Sequence, residues 1–160
     1  MMSKVASFYA PTSGIVVPLK DVPDDAFNKG LLGPGVAIRP ATDRIFNICS
    51  PATGTLKVLF PTGHAACLVD ELDIEVMVHI GIDTVELKGI GFRKLATQGD
   101  WVTNEQALVE VQPAQIPNTY NLLTPIIFTN RDHFAELQQL VPDGATVSVG
   151  DELFRVTIIN

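Results

Sequence analysis

Cysteine is scarce in this chain. Cys49 and Cys67 are the only two among 160 residues and stand at no spacing used by metal or redox pairs, which excludes a disulfide-stapled scaffold and a thiolate metal centre. Both are expected to be structural thiols in a reducing compartment. Long apolar runs are missing as well. Hydrophobic residues make up 46% of the chain, yet no run approaches the roughly 18 residues that mark a membrane-spanning helix. The opening MMSKVASFYAPTSG lacks the apolar centre of a secretory signal. A soluble, cytoplasmic protein is expected. Cations are few, with 11 Lys and Arg against 18 Asp and Glu and a formal net charge of −7. That balance disfavours nucleic acid and anionic membrane surfaces as partners and favours a basic protein surface. A phosphate-binding loop is not indicated either: Gly33-Pro34-Gly35 has no following Gly-Lys-Ser/Thr and leads into an extended segment, so it is a turn.

What the chain has in quantity is punctuation, 12 Gly and 11 Pro. Short apolar segments such as Gly14-Ile15-Val16-Val17, Val36-Ala37-Ile38 and Ile45 to Ile48 alternate with Gly and Pro turns every eight to twelve residues. This pattern predicts an all-β chain, an antiparallel β-sandwich or barrel-like domain with short helical segments. Its length suits one domain over 1–160, with 1–10 as a short N-terminal extension. Asp24 to Lys29 fits one helical turn. A longer helix is expected after Asn130-Arg131-Asp132-His133, with Asn130 or Asp132 as N-cap, Phe134, Leu137 and Leu140 as the buried stripe, and His133 solvated. A weak internal repeat is also present: Gly99, Val102, Leu108 and Val111 match Gly144, Val147, Leu153 and Val156 at a constant offset of 45. Such quasi-symmetry suits two related sheets.

The rest is organised around Phe60 to Leu87. Two period-two runs, Gly63 to Val69 and Ile74 to Ile80, flank Asp70-Glu71-Leu72-Asp73, which reads as an antiparallel hairpin closed by a four-residue loop. If Val69 faces Ile74, His64 lies directly across from His79. The core face would then carry Ala65, Cys67 and Val69 against Val78, Val76 and Ile74. The other face would carry His64, Ala66 and Leu68 against His79, Met77 and Glu75, two imidazoles in a soft apolar rim. Placing two groups of like charging together is costly unless they are used. A slip of one residue would exchange the faces, so the pairing is tied to the loop length.

His64-Ala65 preceded by Phe60-Pro61-Thr62, followed by His79-Ile80-Gly81-Ile82-Asp83-Thr84-Val85 and Gly91-Phe92, resembles the glucose-type IIA components of the bacterial phosphoenolpyruvate-dependent sugar phosphotransferase system. The likeness runs from about Pro11 to Ile158 and takes in Val22-Pro23-Asp24 with Phe27, Leu123-Thr124-Pro125 with Asn130, and Val147-Ser148-Val149-Gly150. It implies an antiparallel β-sandwich and a phosphotransferase component. His79 would accept a phosphoryl group from the phosphohistidine of the carrier HPr and pass it to a cysteine of a IIB domain, itself held at the membrane through IIC. The Gly81 carbonyl would hold the second ring nitrogen of His79, His64 would donate to the phosphoryl oxygens, and Thr62 would fix the His64 tautomer. Val36, Phe60, Ala66, Met77 and Val85 would form the docking rim, with Asp83 answering a basic residue on HPr. Pro34, Ala66, Met77 and Ile80 depart from the residues common in the family, which alters the docking surface and leaves the chemistry intact. The sugar would be chosen by IIC, and Met1-Met2 fits a free subunit.

Two other readings stay open on the residues. Two close histidines can supply two of the four ligands of zinc. No third ligand is near in sequence, so zinc is not required, although the family gives precedent for zinc bridged by His64 and His79 to a regulated partner enzyme. The same fold could then act as a regulatory binding module. A swinging-arm carrier needs a lysine at a hairpin tip, and Lys88 beside a turn does not fit.

Overall fold

Glycine and proline end nearly every apolar segment, and in the computed structural model, which describes residues 3–159, those segments are strands. The largest sheet has eight strands, in the spatial order β13 (Thr146–Val147), β2 (Gly14–Pro18), β3 (Gly35–Arg39), β11 (Thr124–Phe128), β7 (Glu75–His79), β6 (Ala65–Asp70), β5 (Gly54–Leu59) and β9 (Trp101–Val102). One three-stranded sheet runs β1 (Ser3–Tyr9), β14 (Glu152–Ile159), β12 (Glu136–Gln139), and the other β4 (Phe46–Cys49), β10 (Ala107–Val111), β8 (Phe92–Lys94). All pairings among these strands are antiparallel. The expected all-β sandwich with short helical turns is what forms. No helix among the described residues is long and apolar enough to cross a membrane.

The offset-45 repeat has a structural counterpart. Val147 lies on β13 at one edge of the large sheet and Val102 on β9 at the other, both buried, each following a turn glycine of positive φ, Gly144 and Gly99. β14 and β10 are the central strands of the two small sheets. The halves exchange backbone hydrogen bonds reciprocally: the Tyr9 amide donates to the Pro51 carbonyl and the Cys49 amide to the Pro11 carbonyl, both at 2.8 Å. Edge strands pair with Gly14 and Gly54, where a Cβ would run into the carbonyl oxygens of Arg39 and Val69.

Alternation then divides the large sheet into two faces. Val16, Ile38, Ile126, Val76 and Val78 enter the main core, which the small sheets close from the other side with Phe8, Ile48, Val109, Phe154 and Val156. Phe128 sits among three aromatic neighbours, with ring centroids 5.0 Å from Phe8, 5.1 Å from Phe154 and 5.8 Å from Phe134. On the outer face Val17, Ala37 and Ile127 build a second, smaller cluster with Val22, Phe27, Ile82 and Leu123, against which Met77 packs. The helical turn α1 (Asp25–Asn28) supplies Phe27 to it and begins at Asp24, whose carboxylate accepts from the Ala26 amide at 2.9 Å.

Three expectations need correction. The helix after Asn130 is a single 3-10 turn, Arg131–His133, and the chain continues as β12 on the edge of β14. Asn130 caps no helix; its side chain accepts from the Glu75 amide at 2.9 Å and donates to the Asp73 carbonyl at 2.7 Å, and His133 lies 3.0 Å from the Leu72 carbonyl. The open edge of β14 and the hairpin loop together outcompete local helix propensity. Of the ten residues expected as an extension, Ser3–Tyr9 are built into the fold as β1, paired with β14 along its length; Met1 and Met2 lie outside the described residues.

The third correction is the hairpin register. Val69 pairs with Glu75, not Ile74, so that Ala65 faces His79 and Met77 faces Cys67. Five residues, 70–74, separate the last pair. The extra one is accommodated by Asp73 in the left-handed region at φ 60°, while the Asp70 carboxylate accepts from the amides of Leu72 and Ile74. The faces of β6 are therefore exchanged relative to expectation: Ala66 and Leu68 are core, and Cys67 lies on the outer face, half-buried as a free thiol.

Candidate active site

His79 is the last residue of β7 and shares the outer face with Met77. Directly beyond it the chain turns back at Gly81, at φ 81°, where a Cβ would meet Thr84 Cγ2 and the Asn121 carbonyl. This reversal aims the Gly81 carbonyl at the ring that precedes it, 2.7 Å from His79 Nδ1. A carbonyl only accepts, so Nδ1 carries the proton and Nε2 keeps a free lone pair. The Thr84 hydroxyl donates to the Ile80 carbonyl, and the Ile82 amide to the Asn121 carbonyl, which fixes the turn.

His64 arrives by a different route. It precedes β6 rather than belonging to it, at the end of a turn in which the Gly63 amide donates to the Phe60 carbonyl and Gly63 has φ 76°. The Ile80 amide donates to the His64 carbonyl at 2.7 Å, so the backbone ladder runs one step past the strand. Thr62 Oγ1 lies 2.6 Å from His64 Nδ1. His64 is thus opposite Ile80, not His79, yet its ring swings over to meet the His79 ring, with centroids 5.2 Å apart and planes at 81°. Phe60 stands edge-on to His64 at 5.1 Å and Phe27 tilts against His79 at 5.3 Å.

Burial pushes both imidazoles below their ordinary value. For His79 that push is opposed by the Gly81 carbonyl and by the carboxylates of Asp24 and Asp83; for His64 the neighbouring His79 adds to it. Near neutral pH both rings are neutral, and a neutral imidazole with a free nitrogen is a nucleophile.

Of the proposed docking residues, Phe60 and Val85 are exposed and Met77 is half-buried. Val36 and Ala66, expected on the rim, are instead core: at 1% and 3% exposure both side chains belong to the main cluster and are out of a partner's reach. Asp83 is exposed, in the left-handed conformation at φ 58°. Ile90, which follows Gly89, is also exposed, at 60%. Asp24 and Phe27, expected only as part of a helical turn and of the family likeness, bear directly on His79, Asp24 through its charge and Phe27 through its ring. Among the described residues no group of three or more His, Cys, Asp or Glu is arranged to hold a metal ion.

Residues 6–134 match the profile of the family described as phosphoenolpyruvate-dependent sugar phosphotransferase system, EIIA 1. The glucose-specific EIIA component of Buchnera aphidicola is 34% identical over 149 residues, covering 92% of this chain and 89% of that protein. The N-acetylglucosamine-specific EIICBA component of Escherichia coli is 40% identical over 134 residues, 83% of this chain but 20% of that protein. The β-glucoside-specific EIIBCA component of Halalkalibacterium halodurans is 35% identical over 149 residues, 92% of this chain and 23% of that protein. The chain thus spans about a fifth to a quarter of these two larger relatives. The solved structure of glucose permease IIA from Mycoplasma capricolum superposes with a TM-score of 0.85 at 33% identity, covering 95% of this chain and 96% of that one. Sequence and fold agree: this chain belongs to the EIIA 1 family and is a glucose-type IIA phosphotransferase component of the sugar phosphotransferase system.

Proposed function

We propose that His79 Nε2 takes the phosphoryl group from the phosphohistidine of HPr and hands it to a cysteine thiolate of a IIB domain on the cytoplasmic side of a sugar permease. The observation that carries this reading is the pairing of a carbonyl-anchored His79, its Nε2 free, with a second ring 5.2 Å away. In the first step a bond forms between Nε2 and phosphorus while the donor's P–N bond breaks. His79 retains its Nδ1 proton against the Gly81 carbonyl, so the phosphorylated ring is cationic and a good leaving group. In the second step the IIB thiolate attacks phosphorus, the P–N bond breaks and neutral His79 is restored. Both steps exchange one nucleophile for another, so positioning and charge stabilisation suffice without a metal or general base. Thr62 Oγ1 lies 2.6 Å from His64 Nδ1, and when that hydroxyl donates, the His64 proton sits on Nε2, free to meet the phosphoryl oxygens.

The two relatives named as EIICBA and EIIBCA components support IIB as the onward partner. Phe60 and Val85 form the apolar rim of the docking surface, and Asp83 meets a basic residue of HPr. With phosphoenolpyruvate, enzyme I and HPr the chain is expected to gain one acid-labile, alkali-stable phosphate, and His79→Ala none. Stoichiometric phosphate on His79→Ala would overturn the assignment.

A further inference from the structure

The Gly81 carbonyl holds the His79 ring at one nitrogen only. A single hydrogen bond from the residue's own exit turn leaves the ring free to rotate about its bond to Cβ, which would exchange the positions of the nitrogens with those of the carbons. A second restraint comes from a distant part of the chain. Phe27, 4% exposed and the only buried residue of α1, lies 5.3 Å from the His79 ring at an interplanar angle of 59°. It is held there by the outer-face cluster of Val17, Val22, Ile82 and Ile127 and by the Asp24 cap at the start of its turn. Phe27 offers no polar atom, and being buried it presents little surface for a partner to grip. Packing in such interiors is close and side chains sit in defined rotamers, so an aromatic wall fixes the orientation of the ring it touches.

We propose that Phe27 is a positioning residue for phosphoryl transfer, a wall that keeps the His79 ring in the one orientation where Nδ1 meets the Gly81 carbonyl and Nε2 alone meets the phosphorus. This inference rests on His79 being the acceptor. Its consequence is regiochemical: removing the wall lets the ring turn, releases Nδ1 from the carbonyl and admits phosphate on either nitrogen.

The test uses two donors. Phospho-HPr needs a docking surface, whereas phosphoramidate, a small chemical donor, needs none. The position of the phosphate on the ring is read by phosphorus and nitrogen NMR. Wild type is expected to carry phosphate on Nε2 of His79 alone with both donors. Phe27→Leu is expected to be about tenfold slower with both and to carry a tenth or more of its phosphate on Nδ1. Phe27→Tyr keeps the ring and should restore the single isomer. A slow Phe27→Leu with HPr but a normal one with phosphoramidate would make Phe27 a docking residue and overturn the proposal. So would an unchanged rate and isomer in Phe27→Leu. Wild-type phosphate on a residue other than His79 would instead overturn the acceptor assignment, an outcome visible before any Phe27 variant is made.

Discussion

The two histidines meet, but the supports that deliver them differ in kind. His79 ends a regular strand, and its ring is held by a carbonyl from its own exit turn and by a buried phenyl ring from α1. His64 stands outside the strand on a turn, and its ring is held by a hydroxyl two residues before it. The acceptor-only carbonyl fixes one tautomer of His79, whereas the Thr62 hydroxyl can serve either tautomer of His64. A nucleophile must present the same lone pair at every turnover. An oxyanion donor must present a proton where charge develops, and a hydroxyl partner lets it adapt. The two supports therefore fit the two different roles proposed for the rings.

Mutations sharpen this difference, and the effects fall in order. Loss of His79 removes the nucleophilic nitrogen, so His79→Ala is expected to abolish phosphate uptake. His64→Gln should still accept phosphate from HPr but donate poorly to a IIB domain, losing ~3 kcal/mol of transition-state stabilisation, or roughly a hundredfold in rate, as for a missing oxyanion donor. Single-turnover transfer separates the two, and equal forward rates in wild type and His64→Gln would make His64 a bystander. Thr62→Val removes only the partner that orients His64, and a loss of about five- to tenfold in the same assay is expected, since the ring is still buried in place and keeps its Nε2. A Thr62→Val defect as large as that of His64→Gln would mean that the hydroxyl itself contacts the phosphoryl group.

Sequence alone reached the architecture, because glycine and proline at regular spacing leave a chain few options besides short strands, and the offset-45 repeat marks the two edges of the large sheet. It reached the histidine pair for a partly wrong reason. One residue in the left-handed region, Asp73, converts a four-residue loop into a five-residue separation and shifts β6 against β7. Aspartate suits both ordinary turns and left-handed positions, so nothing in Asp70-Glu71-Leu72-Asp73 distinguished the two. The error exchanged the faces of β6 and put Ala66 on a docking rim that it does not reach. His64 was spared because it lies beyond the strand, where the hydrogen-bonded turn at Gly63 rather than strand parity sets its direction. Phe27 and Asn130 are tertiary partners of His79 and of the hairpin loop, and their contacts have no periodicity to betray them. Asn130 in particular looked like a helix cap, since the same side chain that caps a helix can equally cap a loop from another part of the chain.

The smallest expected effect concerns protons. Both imidazoles are displaced below the ordinary histidine value of about 6.5. Over the interval between that value and the lower folded one, the unfolded chain binds more protons than the native protein. Stability therefore falls as pH drops through about 6.5 toward the folded values, and the two groups impose no penalty above it. The supports predict an order within that interval. Burial opposes both cations; the Gly81 carbonyl, Asp24 and Asp83 work against it at His79, whereas at His64 the neighbouring His79 adds to it. His79 should protonate first on acidification, and its new charge should hold His64 neutral to still lower pH. Ring-proton NMR titration resolves the two groups directly. In His79→Ala the His64 titration is expected to move up toward 6.5, since the opposing charge is gone. An unchanged His64 titration would show that the two rings, though 5.2 Å apart, are electrostatically independent.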